Sequence, residues 1–298
     1  MQFTAEGVNL AHVRRVTGDK PLVTFCAIHR LDPADMHALE KLGKEIRLNR
    51  FQCTFLLNAS QYQMLVVEAP NVPAAELKTA VRWRIKDMLD FPVSDATVDV
   101  LGIPAGKNAP SRNLSLYAVA ARNEVIRQRM AAFDAAKLPV SVIDVPELAQ
   151  RNIAAELEEE GRGLAVLSFN EDGGLLTFTF GGELYSARHI EIPLSQLAQA
   201  DSEQRQRHFD RITLELQRSF DHFERQFSFI TLNRLVLAPL PPEVNLDAYL
   251  AANLYVPVTT MNLDEVFDFS AVSGVGPAQR MQCFQVLGAA LRREDAAP

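Results

Sequence analysis

The stretch LAVLSFNEDGGLLTFTFGGELYSARHIEI, Leu164–Ile192, sets the architecture. Three runs, Leu164–Phe169, Leu175–Phe180 and Glu183–Ile192, are separated by Gly173-Gly174 and Gly181-Gly182. Glycine pairs between runs rich in aromatic and β-prone residues are hairpin chemistry, so the stretch predicts a three-stranded meander. Immediately upstream, Glu156-Leu157-Glu158-Glu159-Glu160-Gly161-Arg162-Gly163 is the sharpest break in composition and places a domain boundary near residue 160.

Further upstream the same order of elements occurs first. Gln2–Ala5, Val8–Val16 and Leu22–Arg30 read as strands, with turns at Glu6-Gly7 and Thr17-Gly18-Asp19. Asp32-Pro33 then offers a cap followed by proline, ahead of Met36, Leu39, Leu42 and Ile46 at helical spacing. Strands are expected at Gln52–Leu57 and Gln63–Glu68, and a helix from Pro73 to Asp90 that stops before Phe91-Pro92. Strands at Thr97–Ile103 and Asn113–Ala121 flank a polar loop, Ala105–Arg112. They are followed by helix Asn123–Lys137, strand Val140–Asp144 and helix Pro146–Glu159.

Downstream of the meander a helix is expected over Ser202–Phe229. There Phe209, Ile212, Leu216, Phe220, Phe223, Phe227 and Ile230 step by three or four along one face. Short strands at Leu235–Leu237 and Val256–Thr259 alternate with helices at Leu246–Asn253 and Ala278–Arg292. The chain therefore reads as two α/β halves, each opening with a meander: residues 1–160, with an inserted subdomain at about 70–121, and residues 161–298.

Composition excludes several classes. Of 298 residues, 48% are hydrophobic and 22% charged, which excludes wholesale disorder. The net charge is -7 and no Lys/Arg block occurs. Arg82, Arg84 and Lys86 spread around a helix, so nucleic acid is not an expected partner. Cys26, Cys53 and Cys283 lie far apart and read as reduced thiols. There is no long apolar run and no secretory signal, so direct membrane insertion is not expected and any membrane association is through a partner.

Four segments carry a resemblance. Ala80–Pro92, a helix ending in an aromatic-proline pair, is followed by the acid-rich Val93–Asp99. Ser141–Ala149 forms a strand-to-helix link, Leu216–Glu224 lies in the long helix, and Leu287–Arg292 closes the chain. In this order and spacing they resemble the PilM family of type IV pilus biogenesis. The opening Glu6–Val13 looks like its MshI branch, from mannose-sensitive haemagglutinin (MSHA) pili, with the GspL branch of type II secretion as the near competitor. The resemblance implies an actin-like (ribonuclease H-like) two-domain fold, with the C-terminal helix returning toward the first domain. It implies a cytoplasmic location peripheral to the inner membrane. It also implies a partner of the PilN type, whose N-terminal peptide docks in the first half, and it leaves room for an assembly ATPase and a homodimer.

An actin-like ATPase needs, in each half, a hairpin whose amides hold phosphate beside an Asp for metal or water. Here the first hairpin offers only Phe3-Thr4-Ala5-Glu6-Gly7, and the second Ser168-Phe169-Asn170-Glu171-Asp172-Gly173-Gly174. Ser168 stands where the Asp belongs, and Asp172 falls in the turn. The adenosine-side glycine pair is replaced by Ala238-Pro239-Leu240-Pro241-Pro242, and proline has no N–H to donate. The expectation is a pseudo-ATPase with no catalytic residue, no cofactor and no metal; a working ATPase with unorthodox loops is the rival. No P-loop, dinucleotide fingerprint, zinc-protease or hydrolase-elbow motif occurs, and Arg188-His189 and Asp221-His222 are neighbours only in sequence.

Binding residues are sought on the Pro73–Asp90 helix. At 100° per residue Leu77, Val81, Ile85 and Met88 share one stripe, and Trp83 falls on roughly the opposite side. An indole off the core stripe needs a second cover, either another subdomain or a partner peptide. Trp83, Arg84 and Phe91 are the candidate partner-binding residues.

Overall fold

The computed structural model describes residues 1–32, 34–106, 114–199 and 201–292. Pro33, the expected loop beyond residue 106 and the expected strand start at Asn113 lie outside the described residues.

The first stretch of chain runs β1 (Gln2–Thr4), β2 (Gly7–Arg14), β3 (Leu22–Arg30), α1 (Met36–Glu45), β4 (Cys53–Leu56), β5 (Tyr62–Glu68), α2 (Ala74–Arg84), β6 (Ala96–Gly102), β7 (Ser115–Arg122), α3 (Asn123–Ala135), β8 (Val140–Asp144) and α4 (Pro146–Ala154). The second runs β9 (Gly163–Asn170), β10 (Gly173–Phe180), β11 (Glu183–Ile190), α5 (Leu194–Gln199), α6 (Ser202–Gln226), β12 (Leu232–Leu237), α7 (Leu246–Asn253), β13 (Val258–Thr260), α8 (Leu263–Val266), α9 (Pro277–Gln282) and α10 (Phe284–Ala290).

Two five-stranded sheets have the orders β3-β2-β1-β4-β8 and β11-β10-β9-β12-β13. Ranked by sequence within each sheet, both read third, second, first, fourth, fifth. A third sheet, β5-β7-β6, is formed by chain that lies between β4 and β8. By compactness the chain divides into one unit of Met1–Gln2, Val8–His29 and everything from Asp144 on, and another of Phe3–Gly7 with Arg30–Ile143.

In the first unit, β10 is antiparallel to β9 and β11, whereas β12 is parallel to β9 and β13. The seven residues Gly163–Phe169 of β9 are all buried, as suits a central strand covered on both faces. The long connection to β12 contains α6, capped by the Asp201 carboxylate accepting from the Gln204 amide. All seven stripe residues expected on this helix and its exit are buried. Phe223 stacks on Phe178 of β10 at 4.5 Å, and Phe220 meets the same ring edge-on at 5.5 Å. The helix expected over Ala278–Arg292 is two helices, α9 and α10, joined at Cys283. There the Gln282 carbonyl accepts from Asn9 Nδ2 at 3.0 Å, a tertiary bond that competes with the helical ladder.

The second unit has an aromatic core of Phe3, Phe55 and Phe133, with ring centroids 4.9 to 5.7 Å apart. Its first helix is capped by Asp35, which accepts from the His37 and Ala38 amides. The cap was expected at Asp32. That side chain instead closes its own turn by accepting from the Ala34 amide at 2.8 Å.

The β5-β7-β6 sheet packs on α2. Register pairs Leu65 with Ala118 and Val67 with Leu116. It sets Ala118 against Val100 and Ala120 against Val98, so one face is apolar and carries Val81 and Ile85 of the helical segment. The helix stops at Arg84 with Ile85 as its cap, six residues short of the expected Asp90. Ile85 and Phe91 both belong to this core. A continuous helix would set them about 120° apart around its axis, and the chain instead opens beyond Ile85 and brings both into one core. Met88 consequently leaves the expected stripe and is exposed.

Candidate functional site

The first hairpin turns on Ala5 and Glu6 between β1 and β2. The Thr4 hydroxyl donates across it to the Gly7 carbonyl at 3.4 Å, and Gly7 has φ 150°. Ala5 and Glu6 are exposed. The turn carries one carboxylate, on Glu6, and no Asp.

The second hairpin turns on Glu171 and Asp172, with Asn170 paired to Gly173. The Asp172 amide donates to Asn170 Oδ1 at 2.8 Å, so that N–H is already engaged. Both glycines have a packing reason. A Cβ on Gly173, whose φ is 120°, would lie 2.5 Å from the Ile190 carbonyl oxygen of β11. One on Gly174 would lie 2.7 Å from the Phe169 ring. The glycine pair therefore brings β10 close to β11 and seats a phenyl ring.

Ser168, at the position where a carboxylate would be needed, is 4% exposed and donates to Gln150 Oε1 at 2.6 Å. Gln150, fully buried on α4, donates from Nε2 to the Val166 carbonyl, the Leu175 carbonyl and the Thr177 hydroxyl at 2.8 to 3.1 Å. This closed neutral network holds α4 to β9 and β10, with no ionised oxygen in it. At the third loop the Ala238 amide donates to the Leu167 carbonyl at 2.8 Å, and Pro239, Pro241 and Pro242 have no N–H. Among the described residues, no cluster of three or more His, Cys, Asp or Glu side chains is arranged to hold a metal ion. No described helix is long and apolar enough to cross a membrane.

One titratable pair beside the second hairpin has no sequence signal. His189 Nε2 lies 2.9 Å from Oε1 of Glu147, a carboxylate 1% exposed in the first turn of α4. The hydrogen bond to Glu147 raises the His189 pKa above its ordinary value. The charges of Glu147 and Asp172 add to this and burial opposes it. A raised folded-state pKa means the pair's stabilisation is complete below the unfolded value and fades as pH rises through the folded one. His189→Gln is therefore expected to lower the urea midpoint more at about pH 5.5 than at about pH 9. Equal losses at both would mean that ionisation contributes nothing.

The three candidate binding residues fall in different environments. Trp83 is 66% exposed, so nothing in the described chain covers the indole that the helical wheel placed off the core stripe. Arg84 Nη1 lies 3.5 Å from Glu68 Oε2, which sets the end of α2 beside the end of β5. Phe91 is 7% exposed, part of the core, and Arg122 sits over its ring 4.3 Å from the centroid. Arg82 fixes the following turn by donating to the Val93 carbonyl at 2.7 and 3.0 Å and to the Ser94 carbonyl at 3.0 Å. Phe91 and Arg82 thus organise the turn, and the exposed features are Trp83, Met88 and Val66. β5 is also an edge strand in its sheet.

No family model matches the chain, and no curated protein matches it significantly. Solved structures do. A chain of a PilM-PilN type IV pilus biogenesis complex superposes with a TM-score of 0.74 at 19% identity, over 98% of both chains. The cytoplasmic domain of EpsL, an inner membrane component of the type II secretion system of Vibrio cholerae, gives 0.46 at 14% identity over 97% of each. A Bacteroides thetaiotaomicron protein described as having an actin-like ATPase fold gives 0.46 at 12% identity, over 92% of this chain and 96% of that one. The doubled third-second-first-fourth-fifth sheet and the full-length match give this chain the two-domain actin-like fold, shared with a chain of a type IV pilus biogenesis complex.

Proposed function

We propose that this chain is a non-catalytic cytoplasmic scaffold for inner-membrane assembly of a type IV pilus of the MSHA kind. It binds the short N-terminal tail of a bitopic membrane protein of the PilN type. The observation that carries the reading is the match to a chain of a PilM-PilN complex over the full length of both chains. The hairpins support the non-catalytic part. One has no Asp. The other has a serine locked to Gln150 and a turn amide engaged by Asn170. A triphosphate needs free amides and a metal-holding carboxylate together. The position of β5 at the edge of its sheet and the exposed Trp83 support a peptide-binding role, since an extended segment can add to a sheet edge while an aromatic anchors it.

The test is a pair of thermal melts. ATP with Mg²⁺ is expected to leave the midpoint unchanged and to release no phosphate. A synthetic peptide of the short cytoplasmic N-terminus of a PilN-type bitopic membrane protein is expected to raise the midpoint by several degrees at saturating concentration. ATP turnover that disappears in Asp172→Ala would replace the scaffold with an enzyme. A flat peptide titration would remove the assigned partner.

A further inference from the structure

α7 is apolar on two sides. It buries Leu246 and Leu250, and it leaves Ala248, Ala251 and Ala252 exposed on the opposite side of its axis. The helix lies along α6. Gln206 Nε2 donates to the Tyr249 hydroxyl at 2.9 Å, that hydroxyl donates to Asp210, and Gln217 Nε2 donates to the Asn253 carbonyl at 3.2 Å. Two large apolar side chains border the exposed alanines. Tyr255, just past the end of α7, is 59% exposed, rests edge-on against Phe220 and donates to Glu224 at 3.2 Å. Leu214 of α6, 46% exposed, lies one turn from both Asp210 and Gln217, the residues that hold α7. A helix that is apolar all round is normally covered all round, and this side of α7 is exposed.

The charges left without an ionic partner along this seam are negative. Arg207, Arg218 and Arg225 of α6 are each paired with a carboxylate about one turn away. Among the described residues, Asp210, Glu224 and Asp247 have no such partner. The tyrosines register that field. The bond to Asp210 raises the Tyr249 pKa, and burial, then the Glu224 charge, pushes that of Tyr255 up to about 12. A second copy docked on the same face through a two-fold axis would bring each of these carboxylates toward its like in the other copy. The face therefore fits a partner that brings the opposite sign.

We propose that the outer face of α7, bordered by Tyr255 and Leu214, docks an amphipathic helix of another protein, one whose apolar stripe is flanked by Lys or Arg. The alanines carry nothing beyond Cβ, so a second helix comes close to the axis of α7. Tyr255 and Leu214 supply apolar area at the margins. Basic residues along the edges of the stripe meet Asp210, Glu224 and Asp247, which water solvates in the free chain and which repel a segment of their own sign. This surface belongs to the compact unit that does not hold β5 and Trp83, so the docking is independent of the peptide binding proposed above.

The probe is a fluorescent synthetic helix of about 18 residues with a leucine stripe flanked by lysines, and the readout is its anisotropy on titration with the full chain. The expected dissociation constant is on the order of 10–100 μM at low salt, weakening roughly tenfold at about 0.5 M salt. A peptide with glutamates in place of the lysines should not bind. Ala251→Arg, which sets a long cation in the middle of the exposed face, should weaken binding by at least about tenfold while the free chain melts within about two degrees of the parent. Asp210→Asn combined with Glu224→Gln leaves an acceptor for each tyrosine and should weaken binding to a similar extent. No binding of the lysine peptide, equal binding of the glutamate peptide, or an Ala251→Arg chain that binds like the parent would overturn the proposal. So would a dimer of the full chain, seen by sedimentation, that Ala251→Arg dissociates, because the occupant would then be a second copy.

Discussion

Gly288→Val is expected to be the most damaging single substitution in α10, lowering the melting midpoint by roughly 10 °C or leaving the chain insoluble. A Cβ added at Gly288 would sit 2.7 Å from the Ala149 carbonyl carbon, nearer still to its oxygen, and 3.1 Å from Ile153 Cδ1. Two of those three atoms are backbone of α4, and a helix cannot withdraw one carbonyl without breaking its own ladder. The contact is also wired. Asn152 Nδ2 donates to the Gly288 carbonyl at 3.0 Å, and Arg15 donates to the Leu291 carbonyl at 2.9 Å. Arg292 Nη1 lies 2.6 Å from Asp144, whose carboxylate is buried. Pushing α10 outward strains all three, two of them polar groups with no water to replace the partner. A cost of about 4 kcal/mol follows from overpacking plus those bonds. Gly288→Ala should show a smaller loss in the same direction. Gly102→Ala, where an added Cβ meets nothing within 4 Å, should change little. A Gly288→Ala chain that melts like the parent would show that the two helices are not held at this spacing.

What could be read from the sequence was whatever an element carries in its own periodicity. The α6 stripe is such a case: a helix of 25 residues covering a sheet writes its buried face at 3.6-residue spacing, and all seven chosen positions are buried. Trp83 is another, since its angle around α2 was enough to take it off the core. What could not be read was set by atoms distant in the chain. Nothing near Cys283 says that α9 must end there, because the competing donor is Asn9. Nothing near Phe91 says that α2 must open, because the core it joins is built by β5, β6 and β7.

The candidate site shows the same division. The missing carboxylates were visible as residue types. Their replacement by a closed network was not, because Gln150 looks like any polar residue on a helix until its four partners arrive from β9 and β10. His189 reads from the sequence only as a neighbour of Arg188, because its acid comes from α4. Phe91 reads in the sequence as the aromatic of an aromatic-proline pair at a helix end. Its burial under Arg122 follows from a strand thirty residues on.

Trp83→Ala is expected to weaken the partner peptide by roughly 30- to 1,000-fold, about 2–4 kcal/mol, while leaving the melting midpoint of the free chain within a degree or two. The two halves of this statement have separate causes. Stability is spared because α2 is held from its other side by Val81 and Ile85, both fully buried, and by Arg82 on the Val93 and Ser94 carbonyls. Affinity is lost because an indole 66% exposed in the free chain is apolar area still to be covered, at the end of a helix whose Arg84 pairs with Glu68 of the edge strand β5. Phe91→Ala cannot serve as the same test. It removes a ring from the core and from beneath Arg122, so any loss of binding would come with a loss of several degrees in stability. Arg84→Ala is the informative neighbour. Its pairing with Glu68 is surface-exposed, so the free chain should lose well under 1 kcal/mol, and any larger change in peptide affinity would then report a contact made by Arg84 itself. Isothermal titration of the peptide into the parent, Trp83→Ala and Arg84→Ala chains separates these outcomes. A Trp83→Ala chain that binds like the parent would move the docking surface off α2 altogether, leaving the β5 edge to act without an aromatic anchor.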